Sequence, residues 1–471
     1  MVFNNFVYFI CFSFASFAAV LHFLERRLRI RRGATAFVKN EEFVSFRRRY
    51  FLAYLLCLFA DSLQAPYLYY LYNSYGFLEY QIAILYVCGF VTNIVFSLVC
   101  MYLAERMERK LLCITYVGVC ALSCFMKFST NYGVLLVSRV ADGVAAALLT
   151  IPFQDWYVHE HVIRYDFPRE WIPVTFRYAA MLTGYLAIGA GFVAEFTESI
   201  FKVTAFPFLL SIPILLAAGF WISYGWEPNR LDKSLRRPLL SQLARALPVI
   251  IQDPSILLLS IVQSLFESCL YIFVFLWTPV FLHVPTSANG GNRATFGGLY
   301  STLMASALCG QFVQRILNRR YSAVNLLCLA LALSFIGLTI SVTVAYPVKE
   351  SVLKFEVLLL AFTTYELGVG LYFPTMQRLQ KDILPAEHRS AILSLFRIPL
   401  NLIAGFCLLL LHGHEMYGNW MLLIICMVLI VICVMLSLLL QGLVKRGSNV
   451  ASASDRFMFQ LQTDVAEDDD M

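Results

Sequence analysis

The sequence predicts an all-α polytopic membrane protein, a 6+6 helix bundle with one extra N-terminal transmembrane helix. Three observations predict it: an apolar composition, a series of long apolar runs, and a lopsided placement of basic residues. Of 471 residues, 60% are hydrophobic and 14% are charged, with mean hydropathy +0.71. Soluble domains carry about 25% charged residues, so two or three soluble domains of this composition would lack a charged coat. A bilayer covers the outside instead. Barrels are disfavoured because the apolar runs are continuous rather than alternating. Soluble enzymes, secreted disulfide scaffolds and nucleic-acid binders are excluded together, and the net charge of +6 reads as a topology signal.

The apolar runs lie at about 2–24, 50–72, 80–103, 111–129, 133–153, 172–196, 203–224, 255–283, 296–314, 322–345, 355–377, 390–411 and 418–441. The first, span 0, has its basic cluster behind it rather than in front, so it reads as a retained helix and not a cleaved signal. The others are spans 1 to 12. Of the 36 Lys and Arg, 28 fall on one side of the alternating spans, five on the other, and three inside spans. That asymmetry predicts an outside N-terminus, a cytosolic C-terminus and a multi-pass protein of the cell membrane.

The expected organisation is an N-terminal transmembrane helix at 1–25, a basic cytosolic loop at 26–49, a six-helix half at 50–224, and a cytosolic linker at 225–254. A second six-helix half follows at 255–442, then a disordered cytosolic tail at 443–471 that ends in acidic residues. The halves echo each other. Asp61-Ser-Leu-Gln-Ala-Pro-Tyr-Leu-Tyr in span 1 parallels Gln263-Ser-Leu-Phe-Glu-Ser-Cys-Leu-Tyr in span 7, and Phe-Arg recurs at Phe176–Arg177 and Phe396–Arg397. Such a duplication is the architecture of many secondary transporters. The thirteen cysteines all fall in apolar runs without any C-x-x-C, so they read as small buried hydrophobes. No N-x-[ST] acceptor occurs.

Charged side chains at bilayer depth are the informative residues, since each costs at least a few kcal/mol to insert on translocon scales. Asp61, Asp142, Glu267 and Glu366 fall near the middle of spans 1, 4, 7 and 10. Arg139 lies one turn from Asp142 on the same face, so those two can pair. Arg177 and Arg397 sit toward the cytosolic ends of spans 5 and 11. An ion pair locking helices together is the plain reading of any one of these residues. Their spread over every third span favours a polar path shared by the halves. His159 and His161 flank Glu160 but lack further ligands in view, so no metal, cofactor or catalytic constellation is expected.

The pattern resembles the major facilitator superfamily. In that superfamily spans 1, 4, 7 and 10 line the central cavity. Met101-Tyr-Leu-Ala-Glu105-Arg106-Met-Glu108-Arg109-Lys110 resembles its loop G-x-x-x-D-R-x-G-R-[RK], with both glycines replaced. A degenerate copy follows span 8, with Gln314-Arg315 and Arg319-Arg320. The resemblance implies that Glu105, Arg106, Arg109 and Arg315 act in gating. Arg139-Val-Ala-Asp142-Gly143-Val-Ala-Ala-Ala147 resembles the superfamily's R-x-x-x-G-x-x-x-A, while its proline-bearing antiporter motif is absent from span 5.

The resemblance narrows to the molybdate-anion transporter family. It is carried by Ala60-Asp-Ser-Leu-Gln-Ala-Pro-Tyr-Leu-Tyr69, Gln81-Ile-Ala-Ile-Leu-Tyr-Val-Cys-Gly89, Trp156-Tyr-Val-His-Glu-His161 and Glu170-Trp-Ile-Pro173. Phe275-Leu-Trp-Thr-Pro-Val280, Gly370-Leu-Tyr-Phe-Pro374 and Phe396-Arg-Ile-Pro-Leu400 add to it, over roughly residues 50–410. It implies secondary active uptake of molybdate, a tetrahedral oxyanion, by alternating access. Arginine's forked, permanent charge suits such oxygens, which makes Arg139, Arg177 and Arg397 the candidate anion contacts. Gln64, Tyr67, Gln263 and Tyr372 are candidate neutral donors. A dianion entering a negative cell works against about 4.6 kcal/mol per 100 mV, so protons or a counter-anion must contribute. Asp61, Asp142, Glu267 and Glu366 are the candidate proton carriers. The expected partners are the small-molecule substrate and the lipid bilayer, the expected state a monomer. The rival readings are another small solute (sugar, peptide or organic anion) and a non-transporting receptor or scaffold on the same fold.

Overall fold

A computed structural model describes residues 2–30, 40–230, 239–283, 295–345, 354–411 and 418–468. Side chains are described from residue 5, up to 27, from 241 in the linker, and up to 446 in the last helix. Arg31, Arg32, Lys39, Lys233, Arg236, Arg237, Arg293 and Lys349 lie outside the described residues.

Each apolar run is met by a helix. Span 0 is α1 (Val2–Ile30). Span 1 is α2 (Glu41–Gln64), a 3-10 turn (Ala65–Tyr67) and α3 (Leu68–Ser74). Pro66 lacks the N–H that an unbroken helix would need there. Then follow α4 (Glu79–Arg106), α5 (Arg109–Met126), α6 (Tyr132–Thr150), α7 (Pro152–His159), α8 (Ile172–Phe201) and α9 (Phe206–Gly225). The linker carries α10 (Leu239–Gln252). The second half is α11 (Pro254–Leu282), α12 (Phe296–Leu317), α13 (Ala323–Ala345), α14 (Lys354–Ile383), α15 (Arg389–Leu409) and α16 (Gly418–Asp468). Starts are set by side-chain caps that satisfy orphan N–H groups: Asn40 accepts from Phe43, Asn131 from Gly133, and Asp253 from Ser255.

Among the described residues, twelve helices are long and apolar enough to cross a membrane. The protein is therefore a multi-pass membrane protein. At 22 residues α12 is long enough too, but Gly, Ser, Thr and Gln lower its hydropathy. It packs between α1, α8 and α14.

The halves meet through α4 against α15 and α8 against α12. Small residues let these backbones approach. A Cβ on Gly191 would come within 2.6 Å of the Gly297 carbonyl oxygen, so α8 and α12 touch there with no room for a side chain. Within the first half, a Cβ on Gly143 would lie 2.7 Å from the Gly89 carbonyl oxygen, which seats α6 on α4. One end of the bundle is rich in Lys and Arg. This is the basic end, and the opposite one is the far end.

Candidate functional site

The cavity begins from charges that the helices carry into the bundle. On the N-terminal side, α5 stops at Met126 and the next residue, Lys127, turns its side chain inward. It is 1% exposed. Its ammonium lies 2.8 Å from Asp142 Oδ1, 3.0 Å from Ser123 Oγ and 3.2 Å from Gln64 Oε1, with the Phe208 ring beneath it. Three acceptors use all three of its N–H donors. The Ser123 hydroxyl donates to Asp142 as well. Arg139 donates to Asp142 Oδ2 at 2.8 Å and to the Leu85 carbonyl at 3.3 Å, and stacks on Tyr86. Both oxygens of Asp142 are thus held by cations.

Asp61 on α2 behaves differently. Its side chain is exposed, although the buried Ala60, Ser62 and Leu63 surround it in sequence. It makes no hydrogen bond or ion pair among the described residues, but stands within electrostatic reach of Lys127, Arg139 and Asp142. Tyr300 of α12 lies near Ser62 and within electrostatic reach of both Asp61 and Glu366, between the two halves.

The C-terminal wall is built from α11, α14 and α15. Glu267 accepts from Tyr372 Oη at 3.3 Å and lies near Gln263, whose Oε1 accepts from Gln380 at 2.8 Å. Glu366 is buried without a hydrogen-bond or ion-pair partner among the described residues. Arg397 is half-buried, acts electrostatically on Glu267 and Tyr271, and has no ion pair within 4.0 Å among the described residues. Its charge also reaches Cys100 on α4, which puts it where the halves meet.

The three arginines do not converge. Arg397 stands eight residues into α15 and Arg177 five into α8, about 12 and 8 Å from the basic-end starts of those helices. Arg139 stands seven residues into α6, about 10 Å from its far-end start. Arg177 is exposed, unlike Arg397, and its carbonyl accepts from Arg315 at 3.2 Å. Tyr67 is buried against Phe296 rather than at the charged cluster. Sequence reasoning missed Lys127, because it ends an apolar run and reads as a loop residue. It also missed Tyr300 and Tyr271, because tyrosines are common in these spans.

The two ends of the cavity are unlike. At the far end, aromatic rings of both halves interlock: Tyr69 and Tyr86 on Phe275, Phe90 on Tyr271, Tyr70 on Phe296, with centroids 4.8–5.3 Å apart. At the basic end the hydrogen bonds between the halves, among the described residues, include Ser394 to Met101 and Arg315 to the Arg177 carbonyl. There Glu105 accepts from Gln242 of α10 at 2.8 Å, and Arg106 lies over Tyr102. Arg109 is buried and its backbone N–H donates to the Asn229 carbonyl. Arg315 pairs with Glu25 of α1 at 3.6 Å. His161 is buried between Tyr157 Oη and the Pro168 carbonyl, which fixes the turn after α7. Among the described residues no group of three His, Cys, Asp or Glu is placed to hold a metal ion.

Residues 7–369 match the family described as sugar transporters, 12 TM. A molybdate-anion transporter of Danio rerio is 40% identical over 430 residues, covering 85% of this chain and 86% of that one. The chain belongs to the molybdate-anion transporter family of the major facilitator superfamily. A second member, from Takifugu rubripes, is 37% identical over 86% of this chain and 87% of its own. Among solved structures, the nucleoside transporter NupG superposes with TM-score 0.63 at 13% identity, covering 85% of this chain and 99% of its own. A D-xylose–proton symporter superposes with TM-score 0.61 at 11% identity, covering 83% and 97%. At such identities these two share the fold alone. Like the family it belongs to, the chain is a transporter and not an enzyme.

Proposed function

We propose that this protein carries molybdate into the cell by alternating access, as a secondary active transporter. One observation carries the substrate reading on the structural side. Arg397 is half-buried within electrostatic reach of Glu267 and Tyr271 and forms no ion pair among the described residues, so its fork suits a tetrahedral oxyanion. The relatives named as molybdate-anion transporters support the same reading. Arg139 is committed to Asp142, so the anion contact falls to Arg397, with Tyr372, Gln263 and Tyr271 beside it. Arg177 completes the site only if α8 rotates it inward during the cycle.

The dianion must be charge-compensated, and Asp61, Glu267 and Glu366 are the proton carriers in this reading. Asp142 is not, because two cations hold both its oxygens. The protein lies in the cell membrane as a monomer, with the basic end in the cytosol and α1 as an additional span whose start is outside. The state described here is then closed outward by the aromatic layer.

The description of the matching family supports a rival, a sugar as substrate. Labelled molybdate flux into proteoliposomes of the full chain separates the two. Uptake that sulfate competes with, and xylose does not, is the expected result. Xylose flux without molybdate flux overturns the proposal.

A further inference from the structure

The N-terminal wall holds an uneven set of charges. Lys127 and Arg139 together face one directly bonded carboxylate, Asp142, at 2.8 Å on each side. The two cations are buried among Ser123, Gln64, Leu85 and Tyr86, and Asp142 is largely covered. The cluster therefore carries one surplus positive charge inside the bundle. An uncompensated buried charge is strongly unfavourable. The available compensating group is Asp61. It stands within electrostatic reach of all three charges, is exposed in the structure, and is bonded to nothing among the described residues.

The surroundings of Asp61 are otherwise neutral. From α5, Cys120, Cys124 and Tyr116 face it beside Lys127. From α12 comes Tyr300, and Cys57 lies one turn away on its own helix. From α9, Ser211 bonds the neighbouring Ala60 carbonyl. The carboxylates of α8, Glu195 and Glu198, face Tyr67 instead. Lys127 is thus what makes the cluster uneven. Without it, Arg139 and Asp142 would balance as a pair.

We infer that Lys127 couples the proton to the anion: its surplus charge, set in the Asp142–Arg139 cluster, is compensated either by ionised Asp61 or by an oxyanion in the cavity. The two compensators exclude each other by charge. When the oxyanion arrives, a proton from water binds the Asp61 carboxylate, and the cluster's positive charge is left to the anion. When the oxyanion leaves, Asp61 releases the proton and compensates again. Proton and anion then move together, and the element that links them is a lysine with no need to touch the anion. This rests on the oxyanion reading given above and assigns its coupling element.

The test is the pH dependence of oxyanion affinity, measured by equilibrium binding of molybdate to the purified full chain. Wild type should bind about tenfold more weakly for each pH unit of rise above the linkage point, as one linked proton requires. Lys127→Met should flatten that slope and weaken binding, whereas Lys127→Arg should keep the slope. Asp61→Asn should flatten it while keeping the affinity of the acidic range. A slope unchanged in Lys127→Met overturns the inference. If that variant does not fold, a wild-type slope in Asp61→Asn overturns it equally. Wild-type binding that is independent of pH overturns the coupling role alone and leaves the oxyanion reading standing. Failure of wild type to bind molybdate or sulfate overturns both.

Discussion

In the N-terminal half, Lys127, Arg139 and Asp142 satisfy one another at 2.8 Å. In the C-terminal half, Arg397, Glu267 and Glu366 form no ion pair within 4.0 Å among the described residues. The two halves share a fold and a duplicated pattern, yet one wall ties two cations to a shared carboxylate, with one positive charge in surplus, and the other leaves its charges without ion pairs. A buried pair with well-placed hydrogen bonds is expensive to disrupt and so holds α5 and α6 together. An unpaired guanidinium contributes little to holding helices and remains available to a ligand. The difference separates what holds the fold from what meets the substrate, and each variant below attacks one side of it.

The largest effect should come from Asp142→Asn. It strands two buried cations, and breaking a buried pair costs about 3–5 kcal/mol. The expected outcome is low yield and a clearly depressed melting temperature in detergent, before any transport is measured. A variant that melts like wild type would mean that Lys127 and Arg139 find other partners, and that the N-terminal wall is not the rigid one.

Next is Arg397. Arg397→Gln removes a charged donor, and a hydrogen bond to a charged group contributes about 1.5–3 kcal/mol. Molybdate affinity should therefore fall by about tenfold to a hundredfold. Arg397→Lys keeps the charge but loses the fork, so its loss should be smaller and still measurable. Neither variant should move the melting temperature much, in contrast to Asp142→Asn. Wild-type affinity with slowed flux would make Arg397 a gating residue and remove it from the anion site.

This contrast was only half legible in the sequence. Asp61, Glu267 and Glu366 stand out because a charge inside an apolar run is conspicuous. The spans themselves are legible for the same reason, since continuous apolar runs leave few alternatives. Lys127 ends its run, and nothing local says that its four-carbon stem turns back into the bundle. The recurrence of Phe-Arg at Phe176–Arg177 and Phe396–Arg397 gives the level of each arginine but not the direction it faces. Helix ends were also displaced. α2 begins at Glu41 rather than near residue 50, because the Asn40 cap and a polar first turn extend it outside the apolar run. The last helix continues to Asp468 beyond its apolar stretch, through the segment expected to be a tail. Part of the basic loop and part of the linker are helical as well, in α1, α2 and α10.

The smallest effect concerns the added helix and the far-end seal. α1 rides on α12 of the C-terminal half. The Val7 carbonyl accepts from Thr302 at 3.3 Å, the Phe14 carbonyl lies 3.0 Å from the Cys309 thiol, and Glu25 pairs with Arg315. Its Tyr8 reaches across to the other half and donates to Glu195 of α8 at 2.5 Å. If the far end opens by separating α8 from α12 at Gly191 and Gly297, that bond must break. Tyr8→Phe removes the hydroxyl but keeps the ring stacked on Phe192. A hydrogen bond contributes about 1 kcal/mol net, so the far-open state should gain about fivefold in population. Labelling of Phe296→Cys by a membrane-impermeant thiol reagent reads this, since Phe296 sits in the aromatic layer. The labelling rate should rise by the same factor in the Tyr8→Phe background. An unchanged rate would mean that α1 moves with α8 as well as α12, and that it does not bridge the two halves at a point that opens.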